Sequence, residues 1–119
     1  MEKIRKINYN KLIRDNVINI IKNDPKVLNV NYFNLSEDHL YAPTLVDKLI
    51  EESNELFDAL YNKDKMLEEI SDIEEVLDSI KLFFNISNRE LNEIKNKKRE
   101  DKGSFKNRIF LQSVEEKKD

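Results

Sequence analysis

Ile70, Ile73, Leu77, Ile80 and Phe84 follow one another at spacings of three, four, three and four residues. That alternation holds apolar side chains on one side of a 3.6-residue helix and cannot satisfy the two-residue period of a strand. Leu45, Leu49, Leu56 and Leu60 likewise share one face of the preceding segment. This spacing predicts a helix over about Pro43 to Tyr61, a turn at Asn62 to Asp64, and a further helix with Asp64 as its N-cap. So short a connection favours antiparallel neighbours. One glycine and two prolines in 119 residues leave little to interrupt helices. The fold class expected is therefore mainly all-α, a bundle of about four helices around an antiparallel hairpin.

The flanks complete that outline. Ile13, Val17, Ile20 and Ile21 make one apolar stripe, predicting a first helix from about Lys11 to Asn23 that Asp24-Pro25 ends. Leu28, Val30 and Tyr32 alternate with Asn29 and Asn31, a short strand signal. Ser36, followed by Glu37 and Asp38, reads as an N-cap, and Pro43 either kinks the helix there or opens a new one. Ser87-Asn88-Arg89-Glu90 is a capping box. It opens a fourth helix that carries Leu91 and Ile94 and ends near Asp101, with Gly103 at C′. Ile109 and Leu111 suggest a second short strand, able to pair with the first. Glu115 to Asp119 reads as a frayed tail. The length fits a single domain, residues 1–119.

Charge narrows the function classes. The net charge of −3 conceals twelve acidic residues from Asp47 to Asp78 against Lys48, Lys63 and Lys65. Both flanks are basic: Lys3, Arg5, Lys6, Lys11 and Arg14 on one side, and Lys95 to Arg108 on the other. An acidic centre suits a metal, and basic flanks can fold over a polyphosphate, although charged helix faces are most often simply solvated. The aromatic residues are not interleaved with the basic ones, so no nucleic-acid platform is expected. With no cysteine, disulfides and thiolate metal sites are excluded. No apolar run approaches the roughly 20 residues of a membrane span, and no signal peptide follows Met1 to Lys6. A cytoplasmic protein is expected. His39, the only histidine, reads as a surface residue.

Two acidic pairs are the features with chemistry in them: Glu52-x-x-Glu55 and Glu69-x-x-Asp72. Residues three apart lie on the same side of a helix, so each pair is a pincer of two carboxylates. One lies near the end of its helix and the other near the start of the next, so an antiparallel hairpin can bring them face to face. Four carboxylates suit a hard divalent cation, and magnesium in particular is usually held together with substrate phosphates. A single such pair is weak evidence; two on facing helices are more specific.

The stretch Lys48-Leu49-Ile50-Glu51-Glu52-Ser53-Asn54-Glu55-Leu56, with Glu68-Glu69-Ile70-Ser71-Asp72, resembles the all-α nucleoside triphosphate pyrophosphohydrolases, the MazG-like superfamily. Tyr9-Asn10-Lys11-Leu12-Ile13-Arg14-Asp15 and Lys97 to Phe105 are similar to the ends of a small phosphoribosyl-ATP pyrophosphohydrolase-like, house-cleaning branch. The resemblance runs from about Tyr9 to Leu111. It implies magnesium, or manganese, on Glu52, Glu55, Glu69 and Asp72, and cleavage of a nucleoside triphosphate to a monophosphate and pyrophosphate. It also implies a homodimer or higher oligomer. Cationic side chains should complete such a site, Lys11 and Arg14 first and Lys98 and Arg99 next, with Glu51 or Glu55 handling the attacking water. Asn16-Val17-Ile18 stands where the branch often has Lys-Ile-Pro, and Gly103-Ser104 replaces a common double glycine. These departures bear on substrate fit rather than on the four carboxylates. The alternatives are a phosphoribosyl-ATP pyrophosphohydrolase and a non-catalytic helical interaction or nucleotide-binding module.

Overall fold

A computed structural model describes residues 3–119. Among them are four helices and no strand: α1 (Val17–Lys22), α2 (Asp38–Asp58), α3 (Lys63–Phe83) and α4 (Asn88–Lys102). The fold is all-α, as expected. The chain divides into two compact units, the first ending at Asn85 and the second running from Ile86 to Asp119.

The first unit is built on α2 packed against α3. Tyr41 and Phe83 meet edge to face at 5.2 Å, closing the hairpin at the end away from its turn. Residues 59–62 make that turn. Its cap is Asn62 rather than Asp64: the Asn62 side chain accepts from the Lys65 N–H at 3.2 Å. Asn62 wins because its backbone is extended and its carbonyl oxygen already faces the first free amides of α3. Tyr61, fully exposed, sits in the left-handed region at φ 72°. An aromatic side chain gains nothing there and strains the backbone. Tyr61→Gly is therefore expected to raise the stability of the hairpin by about 0.5–1 kcal/mol, read from the urea midpoint.

The buried seam shares Leu45, Leu49, Leu56, Ile73 and Ile80 with the one the spacing suggested and is completed by different neighbours. Along α2 and its C-cap the row Leu45, Leu49, Glu52, Leu56 and Ala59 is buried or half-buried; on α3 the corresponding row is Met66, Glu69, Ile73, Val76, Ile80 and Phe83. Both are heptad-like rows. Leu60, Ile70, Leu77 and Phe84 turn outward instead, 39–54% exposed. Leu45, Ala59 and Val76 are the apolar residues fully buried among those described. Two carboxylates thus occupy positions that a helical hairpin ordinarily fills with hydrocarbon.

Other boundaries shift for local reasons. α2 starts at Asp38 with Glu37 as its N-cap, one residue beyond Ser36, and no side chain caps it. Pro43 lies inside this helix, removing one N–H donor, and Thr44 Oγ1 donates to the Leu40 carbonyl at 2.7 Å beside it. α1 is six residues long, not the thirteen of Lys11 to Asn23. The residues before it form an irregular stretch whose side chains reach the acidic hairpin. Residues 28–32 and 109–111 are not strands. A strand needs a partner ladder to be stable, and neither segment forms one; Tyr32 receives the Lys22 ammonium over its ring at 4.9 Å.

In the second unit the capping box forms as the sequence dictates. Ser87 Oγ accepts from the Glu90 N–H at 3.1 Å, and Glu90 accepts from the Ser87 N–H at 2.9 Å. The Ser87 N–H and then the Ser87 hydroxyl, each donating to the Glu90 carboxylate at 2.9 Å, hold that carboxyl below its ordinary pKa. Gly103 closes α4 at φ 85°, a conformation that favours glycine. Residues 115–119 carry no secondary structure.

Candidate metal centre

The hairpin register that pairs Tyr41 with Phe83 sets Glu52 level with Asp72 and Glu55 level with Glu69. The two acidic pairs, named from spacing alone, therefore face each other. One carboxylate oxygen from each of Glu52, Glu55, Glu69 and Asp72 lies within 4.8 Å of all the others. Oxygens on opposite sides of a cation are about 4.2 Å apart for magnesium and about 4.6–5.2 Å for calcium, from their usual bond lengths. The cluster is thus the size of a single divalent-cation shell, and small side-chain adjustments span the range.

Burial sharpens this. Glu52 is 6% exposed and lies within the seam itself. Its Oε2 and the Oε2 of Glu69 are buried and have no hydrogen-bond partner. An unsatisfied buried carboxylate oxygen costs stability, and proteins keep few of them. Burial first, and the adjacent Glu55 carboxylate second, push the Glu52 pKa above its ordinary value; Lys48 opposes them without cancelling them. The donor set is all-oxygen, anionic and under-satisfied, which fits a hard divalent cation.

Cations border the cluster. Lys48, one turn before Glu52 and only 15% exposed, bridges Glu51 at 3.1 Å and Glu52 at 3.4 Å. The i,i+4 relation permits the pair with Glu52 and the i,i+3 relation the pair with Glu51. Lys11 reaches the other oxygen of Glu51 at 3.6 Å. Arg14 donates to Asp72 Oδ1 at 2.6 Å across 58 residues of sequence. The structure thus brings Glu51, Glu52, Glu55, Glu69, Asp72, Lys11 and Arg14 together in the first unit. Lys98 and Arg99 lie on α4 of the second unit, where Arg99 is in the last turn and its carbonyl accepts from Gly103. His39 is exposed, its Nε2 3.4 Å from a Glu37 carboxylate oxygen.

The register of the seam is what the sequence reading missed. Its signal is present in the row Leu45, Leu49, Glu52, Leu56, Ala59, where a glutamate interrupts an apolar heptad. No helix among the described residues is long and apolar enough to cross a membrane. In comparisons with known proteins, no family model, no curated protein and no solved structure matches the chain.

Proposed function

We propose that the chain is a magnesium-dependent nucleoside triphosphate pyrophosphohydrolase, releasing a nucleoside monophosphate and pyrophosphate. House-cleaning of non-canonical nucleotides in the cytoplasm is the role we infer. The observation that carries this reading is the pair of donorless, buried oxygens of Glu52 and Glu69 within a four-carboxylate cluster 4.8 Å across. Under-satisfied carboxylates buried at a hairpin seam cost stability, and a bound divalent cation offsets that cost. The resemblance of both acidic motifs and both terminal motifs to the MazG-like superfamily, in the same order, supports the same conclusion.

Glu52, Glu55, Glu69 and Asp72 would hold the metal. Bound magnesium supplies charge neutralisation on the phosphates and help in activating water. Lys11 and Arg14 bind phosphate oxygens and favour the charge that develops on the departing pyrophosphate. Glu51 or Glu55, as general base, accepts a proton from the attacking water while the anhydride bond breaks. Self-association accompanies this reading. Ile50, Phe57, Leu67 and Leu77 are between 40% and 73% exposed on the two long helices, apolar surface of the kind that a second copy covers.

The test is pyrophosphate release from a panel of canonical, deaminated and oxidised nucleoside triphosphates and phosphoribosyl-ATP, with and without magnesium. Metal-dependent release by the wild type, lost by at least 100-fold in a Glu52→Ala, Asp72→Ala variant, is the expected result. Release confined to phosphoribosyl-ATP would replace the house-cleaning role. No release from folded protein with any substrate would overturn the enzyme reading in favour of a helical interaction module.

A further inference from the structure

At the carboxylate cluster three cations meet five carboxylates: Lys11, Arg14 and Lys48 against Glu51, Glu52, Glu55, Glu69 and Asp72. The balance is −2, the charge that one divalent cation cancels. Lys48 belongs to α2 and is largely buried, a fixed part of the wall. Lys11 and Arg14 differ. They come from the irregular stretch before α1, their side chains are 40% and 55% exposed, and each touches a carboxylate of the hairpin. Arg14 in particular holds Asp72, which also belongs to the candidate metal shell.

A guanidinium and a divalent cation compete for the same carboxylate charge. An arriving cation weakens the hold on Arg14 both by drawing on Asp72 and by direct repulsion. A metal–polyphosphate complex adds a second pull, because phosphate oxygens are strong bidentate partners for arginine. We propose that the Lys11–Arg14 segment is an ion-exchange strap. It neutralises Glu51 and Asp72 while the carboxylate cluster awaits its metal, and it transfers its two cations to the phosphates of an incoming magnesium–polyphosphate complex. This inference rests on the metal-site reading above and adds the order of events: the strap opposes metal alone and favours metal with polyphosphate. It makes the site selective for the complex over the free ion.

The sign of one substitution separates this from a merely supporting role. Calorimetric titration compares the wild type, Arg14→Gln and Arg14→Lys, first with magnesium alone and then with the magnesium complex of an α,β-methylene nucleoside triphosphate, which resists cleavage. Arg14→Gln is expected to bind magnesium alone about two- to fivefold more tightly, the scale of an exposed ion pair. The same variant should bind the nucleotide complex about tenfold more weakly, with charge-assisted bonds to phosphate lost. Arg14→Lys should stay closer to the wild type in both. Tenfold higher salt should narrow the gap for magnesium alone, since it loosens the Arg14–Asp72 pair. Weaker binding of magnesium alone by Arg14→Gln would overturn the strap, making Arg14 a positioning residue for Asp72. Magnesium binding that Glu52→Gln abolishes but Arg14→Gln leaves unmoved would overturn the strap while the metal site stands. No magnesium binding by the wild type would overturn both.

Discussion

Replacing Glu52 with leucine is expected to stabilise the metal-free protein while removing its function. Glu52 lies in an apolar seam with one oxygen that nothing satisfies. Exchanging a buried charge for well-packed hydrocarbon is often neutral or stabilising, by up to about 4 kcal/mol. Lys48 keeps Glu51 as a partner at 3.1 Å, so the exchange leaves no orphaned cation. We expect a gain of about 1–3 kcal/mol at neutral pH, measured by urea unfolding in chelator. Magnesium is expected to raise the melting temperature of the wild type, as a ligand that binds only the native state does, and to leave the variant unmoved. Such opposite signs for stability and function mark a residue retained for chemistry.

The pH dependence of that gain follows from the raised Glu52 pKa. A carboxyl whose pKa is higher in the folded state favours folding while protonated, and the advantage is lost as pH rises through the folded value. The cost of ionising Glu52 is therefore greatest at neutral pH and vanishes below the ordinary carboxylate pKa. The advantage of Glu52→Leu should shrink steadily as pH falls through that window. An advantage independent of pH would mean that shape, not charge, is what the leucine improves.

The second large effect lies in the core. Leu45 is 2% exposed and shares full apolar burial with only Ala59 and Val76 among the described residues. Leu45→Ala removes buried methyl groups and leaves a cavity, at a typical cost of 2–5 kcal/mol, an order-of-magnitude range of roughly that size being expected here. Domains are stable by only about 5–15 kcal/mol, and a hairpin with so few buried residues has little reserve. The variant should lose most of its cooperative unfolding transition, seen by circular dichroism. A loss below about 1 kcal/mol would show that packing elsewhere, such as against a second copy, dominates the stability.

The helical content, the capping box and the glycine that ends α4 were legible in the sequence because each depends on residues within one helical turn of each other. The identities of the four clustered carboxylates were legible for the same reason, since i,i+3 spacing is a local rule. The failures share one cause. The supposed strands at 28–32 and 109–111 needed a ladder partner that alternation alone cannot guarantee. The first helix lost residues 11–16 to an irregular stretch that carries the long-range pair of Arg14 with Asp72.

The seam is the clearest division between what is local and what is not. The sequence by itself determined that α2 and α3 would be amphipathic and antiparallel neighbours, because periodicity and a short turn permit little else. Only the tertiary structure decided which neighbours would join the shared positions Leu45, Leu49, Leu56, Ile73 and Ile80 in the seam. Exchanging those neighbours costs little in local propensity, so the choice falls to how two whole faces interdigitate. That choice buried Glu52 and turned Leu60, Ile70 and Leu77 outward. It also brought two acidic pairs and two distant cations to one place, since charges 58 residues apart meet only when packing brings them there.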